Sequence, residues 1–98
     1  MEIVRHYEDK YLAIIEDYGY DLLPEYKFRT LKSMWGVCYP KKNLICFNDK
    51  LIHFEPKYTE AILFHELLHF VIPNHSKRFH DVLNYHMPDY KERLKKIY

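Results

Sequence analysis

KYTEAILFHELLHFVIPNH, residues 57–75, decides how this chain is read. Within it His65 and His69 are four residues apart, so on a helix one imidazole lies a turn above the other on a single face. Both can then reach one metal ion, at roughly 2.0–2.1 Å from nitrogen if the ion is zinc. Glu66 follows His65 directly and lies about 100° further round the helix. That offset puts its carboxylate beside the ion, where it can take a proton from metal-bound water. His75, six residues beyond His69, offers a third nitrogen.

From Ala61 to Ile72 every residue other than these histidines and Glu66 is apolar. A helix apolar on all sides is buried on most of them. A carboxylate and two imidazoles without partners there would each cost on the order of 1–3 kcal/mol, and more if charged. A bound cation removes the conflict. Three nitrogen ligands leave a fourth position open, the arrangement of catalytic zinc. The chemistry expected is hydrolysis. The ion lowers the pKa of its water from about 15.7 towards 7, Glu66 removes the proton, and the hydroxide attacks a carbonyl polarised by the same ion. Glu66 then passes the proton to the leaving amine. Tyr85, Tyr90, His80 and His86 lie downstream as candidate donors to the tetrahedral oxyanion, and the sequence does not choose among them.

The 98 residues suffice for one domain, 1–98, with a thin core. Yet 48% of them are hydrophobic and 17% aromatic, a heavy load for so small an interior. Some apolar surface is expected to stay outside, as a substrate groove or a self-association patch. A net charge of +1, with both signs interspersed, gives no electrostatic case for nucleic acid. The first residues lack the basic start and apolar run of a signal peptide, and no apolar stretch approaches the roughly 20 residues of a membrane span. The expected compartment is the cytoplasm. Cys38 and Cys46 are too few for a disulfide scaffold and read as two reduced, buried thiols.

Residues 2–18 read as an amphipathic helix with Val4, Tyr7, Tyr11, Ile14, Ile15 and Tyr18 on one face, a scaffold expected behind the sheet. Gly19 ends it. Residues 26–30 alternate as a half-buried strand. Residues 34–39 and 44–48 form a hairpin signal; a loop at 41–43 would set Cys38 opposite Cys46. Gly36 in the first arm predicts a bulge or the close approach of another backbone. Residues 48–55 are a connection, and Pro56 opens the central helix. Pro73 and Asn74 stop it and turn the chain so that His75 meets the ion. Ser76 caps a helix carrying Phe79, Val82, Leu83 and His86 on one face, Met87 reads as core, and Pro88 precedes a short last helix with Tyr90, Leu94 and Ile97. The whole predicts an α+β fold: an N-terminal helix, a small sheet of about three strands, mainly antiparallel, a buried active-site helix and C-terminal helices.

HELLH with a histidine six residues on resembles the zincin metallohydrolases. Metzincins share the HExxHxxxxxH spacing but usually carry Gly where Ile72 stands, so the bend here falls to Pro73-Asn74. A closer resemblance is to the YgjP-like family, grouped with SprT-like and minimal-scaffold archaeal zincins. It rests on Trp35-Gly36-Val37-Cys38, Asn48 with Leu51, His65 to His69, Asn74-His75-Ser76, Phe79 and Pro88-Asp89-Tyr90-Lys91. The resemblance implies a zinc peptidase with His65, His69 and His75 as ligands and Glu66 as base. By analogy with zincins, the substrate would be an extended polypeptide paired to an edge strand, residues 44–48 or 35–39. Two departures stand out: the family's longer N-terminal region is reduced to one helix, implying a shallower cleft, and His80 replaces the aromatic residue that often follows Phe79.

Rival readings share the motif. The same activated water would hydrolyse a phosphoanhydride or a small ester. Alternatively His80 or His86 fills the open position and the metal only holds the fold. The apolar excess also suits a homo-oligomer in which a neighbouring chain, or the chain's own C-terminal segment, plugs the cleft.

Overall fold

The computed structural model describes residues 2–21 and 23–96 and runs α1 (Glu2–Asp17), β1 (Glu25–Arg29), β2 (Gly36–Tyr39), β3 (Leu44–Asn48), α2 (Pro56–Leu68), α3 (Lys77–His86) and α4 (Tyr90–Lys95). Ile97, expected in the last helix, lies outside the described residues.

The central element is α2, packed by α1, the sheet, α3 and α4. Pro56 stands at its start, where a missing N–H costs nothing. From Tyr58 to Leu68 every residue except His65 is buried. Ile62, Leu63, Phe64, Leu67 and Leu68 are each at most 2% exposed. Burying each contributes about 1.5–3 kcal/mol, and this apolar packing is the main hold on the helix.

The stripe read from α1 is largely confirmed, with Val4, Tyr11 and Ile15 buried. Its main partner, however, is α2 rather than the sheet. The Tyr11 ring stacks on Phe64 at 4.8 Å, and its hydroxyl donates to the buried carboxylate of Glu60. Glu60 also accepts from Arg93 Nη1 at 2.6 Å. One side chain of α2 thus ties α1 to α4. Gly19, at φ 108°, takes the chain out of the helix in the left-handed region that side chains avoid.

The sheet has the order β1-β3-β2. It is mixed: β2 and β3 are antiparallel, but β1 runs parallel to β3. The mainly antiparallel expectation therefore holds for one of the two ladders, because β3 inserts between strands that precede it. As the middle strand, β3 is buried throughout and has no free edge, so residues 44–48 cannot pair with a substrate. The edge beside the central helix is β2.

The loop is the four residues 40–43 left between the two expected runs, and the three-residue loop at 41–43 that would pair the cysteines does not form. Pro40–Lys42 form a 3-10 turn and Asn43 closes it at φ 50°. Tyr39 consequently pairs with Leu44, and the cysteines are out of register: Val37 faces Cys46 while Cys38 faces Ile45. With neighbours on a strand pointing to opposite faces, the two thiols are separated by the sheet. Both cysteines are free.

Asn48 fixes the approach to β2. Its side-chain nitrogen donates to the carbonyls of Leu31 (3.0 Å) and Met34 (2.9 Å), and its oxygen accepts from the Lys50 N–H at 3.0 Å. Gly36, two residues after Met34, opens β2 and lies against α2. A Cβ built there would sit 2.6 Å from Ile62 Cγ2 and 3.3 Å from Glu66 Cγ. The close approach expected of this glycine is therefore to side chains of the central helix, not to a backbone.

Two substitutions test this packing. Gly36→Ala is expected to destabilise the fold by about 1–3 kcal/mol in urea unfolding, since the buried Ile62 methyl must move; an unchanged midpoint would mean that the strand is not pressed on the helix. Arg93→Ala leaves Glu60 without its counter-ion at a buried position and is expected to cost roughly 3 kcal/mol by the same measurement.

Candidate metal centre

The last turn of α2 carries the first two histidines. His65 is its one partly exposed residue between Tyr58 and Leu68. His69 is the C-cap, still right-handed at φ −65° and ψ −18°. The helix was expected to continue to Ile72 but ends at Leu68. Phe70 and Val71 bond three residues back, to Leu67 and Leu68 (3.1 Å each), which tightens the chain before Pro73 is reached. Residues 73–76 then turn back, and the Ser76 hydroxyl accepts from the Phe79 N–H to start α3 as expected. This turn presents His75 to the helix.

The three Nε2 atoms form a near-equilateral triangle, with His65 to His69 at 3.2 Å, His69 to His75 at 3.1 Å and His75 to His65 at 3.3 Å. Hydrogen bonds among them cannot satisfy all three sides, because a protonated ring nitrogen donates and has no lone pair to accept. A single cation accounts for the shape. Nitrogens about 2.0–2.1 Å from a common centre at near-tetrahedral angles stand roughly 3.2–3.4 Å apart. The donor set fits a metal ion. Among the described residues, this is the cluster of histidine, cysteine and carboxylate side chains with that geometry.

Beneath the triangle lies Phe79, fully buried on α3. Its ring stacks on His69 at 4.6 Å and meets His65 and His75 edge-on at 5.1 and 5.2 Å. One benzene ring thus sets the plane of all three imidazoles. In the sequence it reads as one face residue of α3 and as part of the family resemblance, with no sign that it supports the histidines. The far nitrogens are also engaged: His69 Nδ1 lies 3.2 Å from the Ile72 carbonyl, and His65 Nδ1 is hydrogen-bonded to the Tyr90 hydroxyl at 2.5 Å.

Burial pushes the His65 pKa down to about 3, with further lowering from His69, His75 and His80. His69 is lowered too, chiefly by burial. Both rings therefore stay neutral with lone pairs to offer. Glu66 Oε2 lies 3.7 Å from His65 Nε2, beside the triangle. Burial raises its carboxyl to about 7, against the opposing pull of a hydrogen bond from the Cys38 backbone N–H. Cys38 itself is driven up to about 12 by burial and by the Glu66 charge, so its thiol stays protonated.

The centre opens into a cleft of about 500 Å³. Ser33, Met34 and β2 residues Gly36 to Cys38 form one wall; Pro73 and His75 form the other. Met34 and Pro73, both on this rim, were not among the expected site residues.

The four candidate oxyanion donors separate clearly. Tyr85 is 80% exposed and its ring contacts His86. His86 packs edge-on against Phe64 and Tyr18, on the α1 side of α2, away from the cleft. His80 stacks at 6.3 Å on His75 and stays exposed. Tyr90 reaches the site, but at the far nitrogen of His65.

Two solved structures share this fold. The metallopeptidase zymogen abylysin of Pyrococcus abyssi superposes with a TM-score of 0.74 at 24% identity, over 91% of this chain and 90% of that one. The metallopeptidase zymogen jannalysin of Methanocaldococcus jannaschii gives 0.73 at 21% identity, over 93% and 86%. No curated protein sequence matches the chain. The family described as YgjP-like, metallopeptidase domain, matches residues 4–97, which take in α2, the three histidines and the strand beside them. On that match, the chain belongs to the YgjP-like family and is a metallopeptidase.

Proposed function

We propose that the chain is a zinc-dependent peptidase in which His65, His69 and His75 hold the ion and Glu66 is the general base. The observation that carries this reading is the triangle of imidazole nitrogens, 3.1–3.3 Å on a side, with a carboxylate oxygen 3.7 Å from one corner. When bound, zinc supplies Lewis-acid activation of water and of the scissile carbonyl. Glu66 Oε2 takes the proton of the attacking water and returns it to the leaving amine nitrogen. A carboxyl near 7 is suited to both halves of that transfer. The Cys38 N–H holds the carboxylate toward the cleft while it works.

The polypeptide lies along β2, the edge strand that walls the cleft, and pairs with its main chain. This placement favours a peptide over a phosphoanhydride, since no lysine or arginine lines the cleft among the described residues. A closed structural site is also disfavoured: neither His80 nor His86 joins the ligand cluster. Both neighbouring structures are zymogens, which supports a latent form here too, with a second copy in the cleft; the chain's own C-terminal helix lies on α2 and lines none of it. Leu23 and Ile52, 76% and 67% exposed, supply apolar surface for such association.

Glu66→Gln is expected to lower cleavage of an unstructured protein about 10²- to 10⁴-fold while zinc content by elemental analysis stays at one per chain. Chelation is expected to silence the protein but leave its far-ultraviolet circular dichroism intact, because α2 is held by apolar packing; unfolding on metal removal would favour the structural reading. Specific activity is expected to rise on dilution through the dissociation range, and a flat profile would count against self-inhibition by a second copy.

A further inference from the structure

We infer that Tyr90 is a positioning residue: its hydroxyl accepts the Nδ1 proton of His65, so that His65 Nε2 is left as the lone pair that faces the ion. The inference rests on the metal centre proposed above and goes beyond its ligands and base. A neutral imidazole carries one proton, and the partner of one nitrogen decides the state of the other. If that proton sat on Nε2, the triangle would lose a corner. A ligand's outer hydrogen bond also fixes the ring's rotation, so its loss blurs the direction of the lone pair.

The geometry assigns this task to Tyr90. Its hydroxyl is 2.5 Å from His65 Nδ1, and its ring lies nearly parallel to the imidazole, at 17° and 5.7 Å between centroids. The residue is 7% exposed. It opens α4, which is anchored to α2 by Arg93: Nη1 donates to Glu60 Oε1 at 2.6 Å and to the Lys57 carbonyl at 3.2 Å, while Nε donates to Asp89 Oδ2 at 2.9 Å. The position of the hydroxyl is thus set by the same helix that carries His65. His69 receives the equivalent service from a backbone carbonyl, that of Ile72 at 3.2 Å. A carbonyl can only accept, so on His69 the proton belongs on Nδ1. Tyr90 completes the same arrangement on the first ligand, where the helix interior offers no free carbonyl. A role as oxyanion donor would require the hydroxyl on the other side of the ring.

The test uses the full chain, labelled with ¹⁵N, and reads histidine tautomers by long-range proton–nitrogen correlation alongside zinc affinity by competition with a chelator. In metal-free wild type, His65 is expected to carry its proton on Nδ1. In Tyr90→Phe that preference is expected to be lost and zinc affinity to fall about 10- to 100-fold, with circular dichroism showing the fold retained. An Nε2-protonated His65 in the wild type would overturn the assignment, as would zinc affinity in Tyr90→Phe within twofold of wild type. The wild-type tautomer decides the matter even if the variant does not fold. Failure of wild type to bind zinc would sink the metal centre itself, a distinct result.

Discussion

A helix with no polar face has to carry a polar site, and everything around α2 answers that constraint. Apolar burial on all sides fixes the helix, which a binding site needs, but it also strips water from whatever the helix presents. The one gap in the burial pattern falls at His65. Through it His65 reaches the cleft, where half-buried His69 and exposed His75 meet it. Desolvation then works in favour of the site. It keeps the His65 and His69 rings uncharged and raises the Glu66 carboxyl to about 7, the states that the proposed metal binding and proton transfer call for.

Rigidity around the triangle comes from contacts of three kinds. Phe79 supports the ring faces, a carbonyl and a hydroxyl engage the outer nitrogens, and the β2 backbone holds the carboxylate. None of these groups is itself a ligand. Together they supply the pre-organisation that a small protein cannot obtain from bulk, because its interior is thin. The glycine at position 36 belongs to the same design. Any larger residue would push the strand from the helix and with it the N–H that faces Glu66.

The parts of the structure legible in the sequence are those written locally. Pro56, Ser76 and Gly19 mark ends through the chemistry of one or two turns, and His65 with His69 declare a shared face by spacing alone. The features that escaped depend on distance or on loop length. Glu60 reads as one more charged residue, since its partners are Tyr11 and Arg93, at separations of 49 and 33 residues. The position of β3 between two earlier strands follows from how the chain crosses over, which residue pattern does not encode. The hairpin register slipped because Pro40 joins the loop, and a change of one residue in register turns a side chain to the other face. Tyr90 was legible as a residue near the site but not in its orientation, which depends on how Pro88 and Asp89 launch α4.

The carboxylate shared by α1 and α4 has a consequence for biosynthesis. During translation the N-terminal helix and the HELLH segment emerge well before residues 89–93, so Glu60 meets Tyr11 early and its cation late. The hydroxyl hydrogen-bonded to His65 arrives in the same later stretch. A chain synthesised only as far as Pro88 therefore contains the motif without the contacts that hold it, and these form once residues 89–93 have followed.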